Sequence, residues 1–128
     1  MSHMEGRLRV LVVDDDPDFL VSAEVGLRSL GHEVSSAHGG AEAIDKALSR
    51  EFDVVLLDLM MPRVDGFQVA MTLRRALGAR TPKIIVVTAM GMPNKDIALL
   101  AKPARILRKP LSPDQLSDSI RTVFKDGN

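Results

Sequence analysis

Apolar positions along this chain follow two alternating patterns. Short apolar runs at residues 7–13, 54–57 and 84–87 are each followed by stretches in which apolar residues return every third or fourth position. The first run, R-L-R-V-L-V-V at 7–13, is rich in β-branched residues, too short for a buried helix, and bounded by a cluster of acids. It predicts a central strand covered on both faces. Helix-start chemistry follows at once: Asp16 can cap the free amides, Pro17 suits the first helical position, and Asp18 meets the positive end of the dipole. Leu20, Ala23, Leu27 and Leu30 then recur at helical spacing, and Gly31 closes the helix.

The alternation repeats. Glu33–Ala37 predicts a short strand, and 41–50 a helix with Ile44, Ala47 and Leu48 turned inward. Val54–Leu57 reads as a second fully apolar strand ending at Asp58, followed by a turn over 61–66 and a helix from Phe67 to about Leu77. A strand over 84–87 ends in Thr88, a weak helix covers 94–101, and 105–107 forms a fifth strand before Lys109 and Pro110. The last helix spans 113–125, with Leu116, Ile120, Val123 and Phe124 on one stripe. Five strand–helix units over residues 7–126 predict an α/β fold. The sheet is five-stranded and parallel with helices on both faces, flavodoxin-like (βα)5, in order 2-1-3-4-5; right-handed crossovers leave few alternatives. No stretch is left over for a linker or second domain.

Composition removes several function classes. The 128 residues include no cysteine, which excludes a disulfide framework, a zinc–thiolate site and a nucleophilic thiol. The apolar runs are far short of a membrane span. Residues 1–6, beginning Met1-Ser2-His3-Met4-Glu5, lack the apolar core of a secretory signal and read as a disordered cloning remnant. A cytoplasmic protein is expected. The net charge of 0 hides an asymmetry: residues 1–73 hold 6 basic and 13 acidic side chains and 74–128 hold 11 and 4, so the parts carry −7 and +7. With no Tyr, no Trp and four Phe to stack bases, direct nucleic-acid binding is not expected. The basic part reads as a solvated helical face or a docking surface for an acidic protein.

In an open α/β sheet, ligands bind beyond the carboxyl ends of the strands, where the winding reverses. The residues predicted there are Asp14, Asp15 and Asp16 after the first strand, Asp58 after the third, Thr88 after the fourth and Lys109 after the fifth. Carboxylates about 4 Å apart repel by about 4 kcal/mol at an effective dielectric near 20, so they need cations or raised pKa values. Lys109 supplies one charge. An all-oxygen site with His3, His32 and His38 elsewhere favours Mg²⁺ for the rest. A metal, a carboxylate, a hydroxyl and a lysine meeting at one point suggest phosphoryl transfer, with Asp58 as nucleophile and Thr88 and Lys109 binding the phosphoryl oxygens. Taken singly, each residue has a plainer reading. Asp16 suits a cap better than a ligand, Asp14 can serve as a turn acid, and Lys109 as a surface lysine. The joint placement carries the signal. A phosphatase of the haloacid-dehalogenase type, with Asp14 as nucleophile, is the enzymatic rival, but it leaves Asp58 unexplained.

Four motifs carry a resemblance: V-L-V-V-D-D-D-P-D (10–18), V-V-L-L-D-L-M-M-P-R-V-D-G (54–66), I-I-V-V-T-A (84–89) and R-I-L-R-K-P-L (105–111). In this order they closely resemble the receiver domain of two-component response regulators, the CheY-like superfamily, over residues 7–126. The resemblance implies that Asp58 accepts a phosphoryl group from a phosphohistidine on a sensor kinase or a histidine phosphotransfer protein. The domain would catalyse only its own phosphorylation and dephosphorylation. It implies Mg²⁺ held by Asp15 and Asp58, by Asp14 directly or through water, and by the main-chain carbonyl of Met60. Thr88 and Lys109 match the switch hydroxyl and lysine, Ala89 is suitably small, and the Lys109–Pro110 bond is expected to be cis.

Two departures stand out. Ile106 occupies the position where the family commonly has Tyr or Phe, and Lys102-Pro103-Ala104 replaces a common Gly-Ala, so the preceding helix should be short or irregular. The missing aromatic keeps a second reading open, an interaction module of this fold that is never phosphorylated. Met60 and Met90 offer no polar group to orient an attacking water, which predicts slow self-hydrolysis of the phosphorylated form. The output partner is unassigned. A weak homodimer through the fourth helix, fifth strand and fifth helix, where Lys95, Lys102, Arg105, Arg121 and Lys125 lie, is left open.

Overall fold

The computed structural model describes residues 7–59, 61, 66–88 and 102–126. Residues 1–6, Met60, most of the 61–66 turn, Ala89, Met90 and the helix expected over 94–101 lie outside the described residues.

Five strands pair in parallel as β2-β1-β3-β4-β5, the order expected: β1 (Arg9–Val13), β2 (Glu33–Ala37), β3 (Val54–Leu57), β4 (Lys83–Thr88) and β5 (Arg105–Arg108). Four helices are described: α1 (Pro17–Ser29), α2 (Gly40–Ser49), α3 (Gly66–Leu77) and α4 (Pro113–Asp126). The alternation of side chains along each strand divides the core into two layers. Leu11, Val13, Val55, Leu57, Ile84 and Val86 pack with residues of α2 and α3. Val10, Val12, Val54, Leu56, Ile85 and Val87 pack with residues of α1 and α4. A strand buried on both faces has no polar side to show, which is why these runs read as unbroken apolar sequence.

Local chemistry sets the helix ends. Asp16 caps α1, its side chain accepting from the Asp18 N–H at 3.0 Å, with Pro17 in the first turn. Gly31 follows the helix at φ +98°, a conformation that favours glycine. At α2, the Glu42 carboxylate accepts from the His38 backbone N–H at 2.8 Å. That bond, with lesser help from Lys46 and the His38 ring and against some burial, holds the Glu42 carboxyl below its ordinary value.

Some expectations need correction. Leu48 is 47% exposed; the buried stripe of α2 is Ala43 and Ala47, with Ile44 half-buried beside it. One residue along a helix is about 100° around it, enough to turn Leu48 outward. Leu30 lies just beyond α1 and is half-buried. β1 begins at Arg9, while β4 and β5 run on to Thr88 and Arg108. Lys102, before Pro103, has φ +51°, outside right-handed helix, as the proline implies. The Lys109–Pro110 peptide bond is cis.

His32 joins Leu8, just before β1, to α4 inside the fold. Its Nδ1 accepts from the Leu8 N–H at 3.2 Å and its Nε2 meets Ser117 Oγ at 3.0 Å. Burial, followed by the nearby charge of Arg121, pushes its pKa down, so the neutral ring is favoured.

Candidate functional site

Strand register builds the site. Val13 pairs with Leu57, so the residues that next leave β1 and β3, Asp14 and Asp58, emerge side by side. Their backbones stay tied to the sheet: the Asp14 N–H donates to Ala37 O at 3.2 Å, and the Asp58 N–H donates to Val13 O at 3.1 Å. β1 lies between β2 and β3, with α1 on one face and α2 on the other, so the winding reverses here and leaves a crevice at the carboxyl ends.

Three carboxylates meet in that crevice. Oxygens of Asp14, Asp15 and Asp58 all lie within 4.8 Å of one another. Asp14 and Asp58 are buried, at 1% and 5% exposure, whereas Asp15 is open to solvent. Lys109, just past β5, reaches in with Nζ 2.6 Å from Asp14 Oδ2 and 3.9 Å from Asp58 Oδ2. The other Asp14 oxygen accepts from the Asp16 N–H at 2.9 Å, which fixes the carboxylate as the chain turns into α1. Asp16 itself is the helix cap rather than a member of the cluster.

The backbone behind Asp58 is pressed by α3. Gly66, the first residue of that helix, donates its N–H to Leu59 O at 3.4 Å. A Cβ added there would lie 2.2 Å from Asp58 O and 2.7 Å from Leu59 Cα. Only glycine permits so close an approach.

Sequence reasoning expected Asp14, Asp15, Asp58 and Lys109 together, and the structure brings those four together. Thr88 closes β4 opposite Arg108, so its backbone reaches the same end of the sheet. Met60 lies outside the described residues. His32 and His38 stay out of the acidic group, one bonded to Ser117 and the other to Glu42. Ile106 is half-buried against the α2–α3 layer of the core. Phe19 was missed: Lys109 Nζ lies over its ring, 4.3 Å from the centre. The one available signal was its place in the first turn of a helix that starts at the acid cluster.

The electrostatics call for a cation. Among the described residues, three carboxylates face the Lys109 ammonium, and each close pair repels by about 3–4 kcal/mol at an effective dielectric near 20. The donors are all oxygen and partly buried, a set that suits a small hard divalent ion better than a softer metal.

A model of the response regulator receiver domain family matches residues 10–121. Transcriptional regulatory protein PrrA of Mycobacterium leprae is 37% identical over 117 residues, covering 91% of this chain and 50% of that protein. Response regulator MprA of Mycobacterium avium is 37% identical over 119 residues, covering 92% and 51%. The chain therefore spans about half the length of these curated relatives. Among solved structures, chemotaxis protein CheY4 of Vibrio cholerae superposes with a TM-score of 0.82 at 27% identity, covering 90% of this chain and 97% of that one. Response regulator TrrA of Thermotoga maritima, solved in complex with Mg(2+)-BeF, gives 0.79 at 31% identity, with coverage of 90% and 97%. Sheet order, strand-end acids and a family match across most of the sequence agree, and the chain belongs to the response regulator receiver domains, the family that takes a phosphoryl group on an aspartate.

Proposed function

We propose that Asp58 is the phosphoacceptor of this receiver domain, that residues 7–126 make up the domain, and that the donor is a phosphohistidine. Descent from two-component response regulators implies a histidine kinase partner; the finer assignment admits a histidine phosphotransfer protein as well. The observation that carries the reading is the convergence of Asp14, Asp15 and Asp58 within 4.8 Å, with Lys109 reaching the same point.

An Asp58 carboxylate oxygen attacks phosphorus, a P–O bond forms as the N–P bond breaks, and the freed imidazole takes a proton. Asp15 and Asp58 would hold Mg²⁺, with Asp14 directly or through water and with the main-chain carbonyl of Met60; TrrA of Thermotoga maritima, of the same fold, is described with Mg(2+)-BeF. The ion supplies charge neutralisation for the phosphoryl oxygens. Lys109 provides a second positive charge near Asp58 Oδ2, and the Thr88 hydroxyl donates a hydrogen bond to the phosphoryl group. Asp14 holds Lys109 in place until the site is loaded. The domain is thus a stoichiometric acceptor that promotes its own modification rather than a turnover enzyme. The added charge then biases a protein-interaction surface toward its active arrangement. With Ile106 at the usual aromatic position, that shift has no aromatic rotation to draw on. Membership of the receiver family supports action in the cytoplasm; no helix among the described residues is long and apolar enough to cross a membrane.

The test is incubation with acetyl phosphate, with and without Mg²⁺, of the wild-type chain and Asp58→Asn. One phosphoryl group per chain, dependent on metal and abolished by the substitution, is expected. Metal-independent labelling, or labelling that survives the substitution, refutes the assignment; an inert wild type favours the interaction module that is never phosphorylated.

A further inference from the structure

The contacts of Lys109 are of two kinds. On one side its ammonium faces carboxylates, Asp14 at 2.6 Å and Asp58 at 3.9 Å. On another it lies 4.3 Å from the centre of the Phe19 ring. Phe19 is the third residue of α1 and is packed against the core layer between α1 and α4, so the ring's place is set by the fold rather than by the lysine.

An aromatic face attracts an ammonium through its quadrupole while carrying no net charge and no lone pair. That distinction matters in a loaded site. The carboxylates are the groups that a divalent ion and a phosphoryl group engage, so their hold on Lys109 weakens when the site fills. The ring competes for neither and keeps its hold. A lysine side chain otherwise has many rotamers and gives up conformational entropy when fixed; a preset aromatic surface narrows that choice beforehand.

We infer that Phe19 is a positioning residue for phosphoryl transfer: its ring face keeps the Lys109 ammonium beside the acceptor while the carboxylates are engaged elsewhere. This rests on the reading of Asp58 as phosphoacceptor. Phe19→Leu keeps apolar bulk and removes the face, Phe19→Tyr keeps the face, and Phe19→Met replaces the leucine variant should that one not fold. Two readouts are taken: the proton shifts of the Lys109 ε-methylene in the metal-free protein, and the initial rate of Asp58 labelling by acetyl phosphate at saturating Mg²⁺. Wild type and the Tyr variant should show ring-shifted ε-protons, and the Leu variant should not. Labelling should fall roughly three- to tenfold in the Leu variant and stay within about twofold of wild type in the Tyr variant. Unshifted ε-protons in the wild type, a Leu variant labelled at the wild-type rate, or Leu and Tyr variants slowed alike would overturn the inference. If the wild type takes no label at all, the phosphoacceptor reading fails, and the ε-methylene shift alone decides whether the ring holds the lysine.

Discussion

Replacing Gly66 with alanine should separate site geometry from stability. The added Cβ would meet Asp58 O at 2.2 Å, Leu59 Cα at 2.7 Å and Asp58 C at 2.8 Å, all backbone atoms with no flexible end to yield. Restoring ordinary contact needs a shift of about 1 Å in either the first turn of α3 or the segment that carries Asp58. Overpacking of this kind costs about 1–3 kcal/mol, and displacing a reacting group by 1 Å can cost about 100-fold in rate. Gly26→Ala is the matched control. Its Cβ would meet Pro113 Cγ at 2.2 Å, a clash between α1 and α4 that involves none of the Asp58 or Leu59 backbone atoms met at Gly66. Both variants should unfold earlier, by about 4 °C per kcal/mol for a domain of this size. At a temperature where both are folded, Gly66→Ala should accept phosphoryl from acetyl phosphate about ten- to a hundredfold more slowly, and Gly26→Ala at the wild-type rate. Equal rates for the two variants would refute the claim that α3 sets the position of Asp58.

Three further outcomes are expected. Asp16→Ala should cost about 0.5–2 kcal/mol in chemical denaturation and leave Mg²⁺ affinity by calorimetry within about twofold, because Asp16 caps α1 at 3.0 Å instead of binding metal; a large loss of affinity would make it a ligand. Lys109→Met removes an ammonium that contacts Asp14 and Asp58, so Mg²⁺ should bind several-fold more tightly while labelling of Asp58 slows; weaker metal binding would contradict the charge balance described above. The His32 pKa is depressed in the folded state, so its contribution is complete above the unfolded value near 6.5 and is lost as pH falls through the lower folded value. Stability measured by denaturation should therefore fall on acidification below about pH 6.5, and His32→Gln should flatten that part of the profile; an unchanged slope would show that His32 is not responsible. Glu42, held low by the His38 N–H, acts in a separate window, its contribution present above about pH 4.5 and lost below it.

Much of this was legible in the sequence because the fold leaves few compromises. β1, β3 and β4 are covered on both faces, so their apolar runs have no other reading, and Asp16–Pro17–Asp18 is helix-start chemistry whatever the tertiary context. Asp14 and Asp58 could be placed together because strand ends in a parallel sheet align by register. What escaped depends on details that periodicity does not carry. Leu48 faces solvent because the closely packed stripe of α2 is made of alanines, not its largest residues. Phe19 and Lys109 are 90 positions apart, and their contact depends on how far one side chain reaches across two strands. The clasp of His32 on Ser117 likewise joins elements whose separation only the assembled fold reveals.

Chemical location of the label tests the central claim most directly. After reaction with acetyl phosphate and Mg²⁺, borohydride converts an aspartyl phosphate to homoserine, which peptide mass spectrometry can place in the chain. The account predicts homoserine at position 58 alone, at up to one per chain. Homoserine at position 14, as the phosphatase reading requires, or modification spread over several acids, would contradict it.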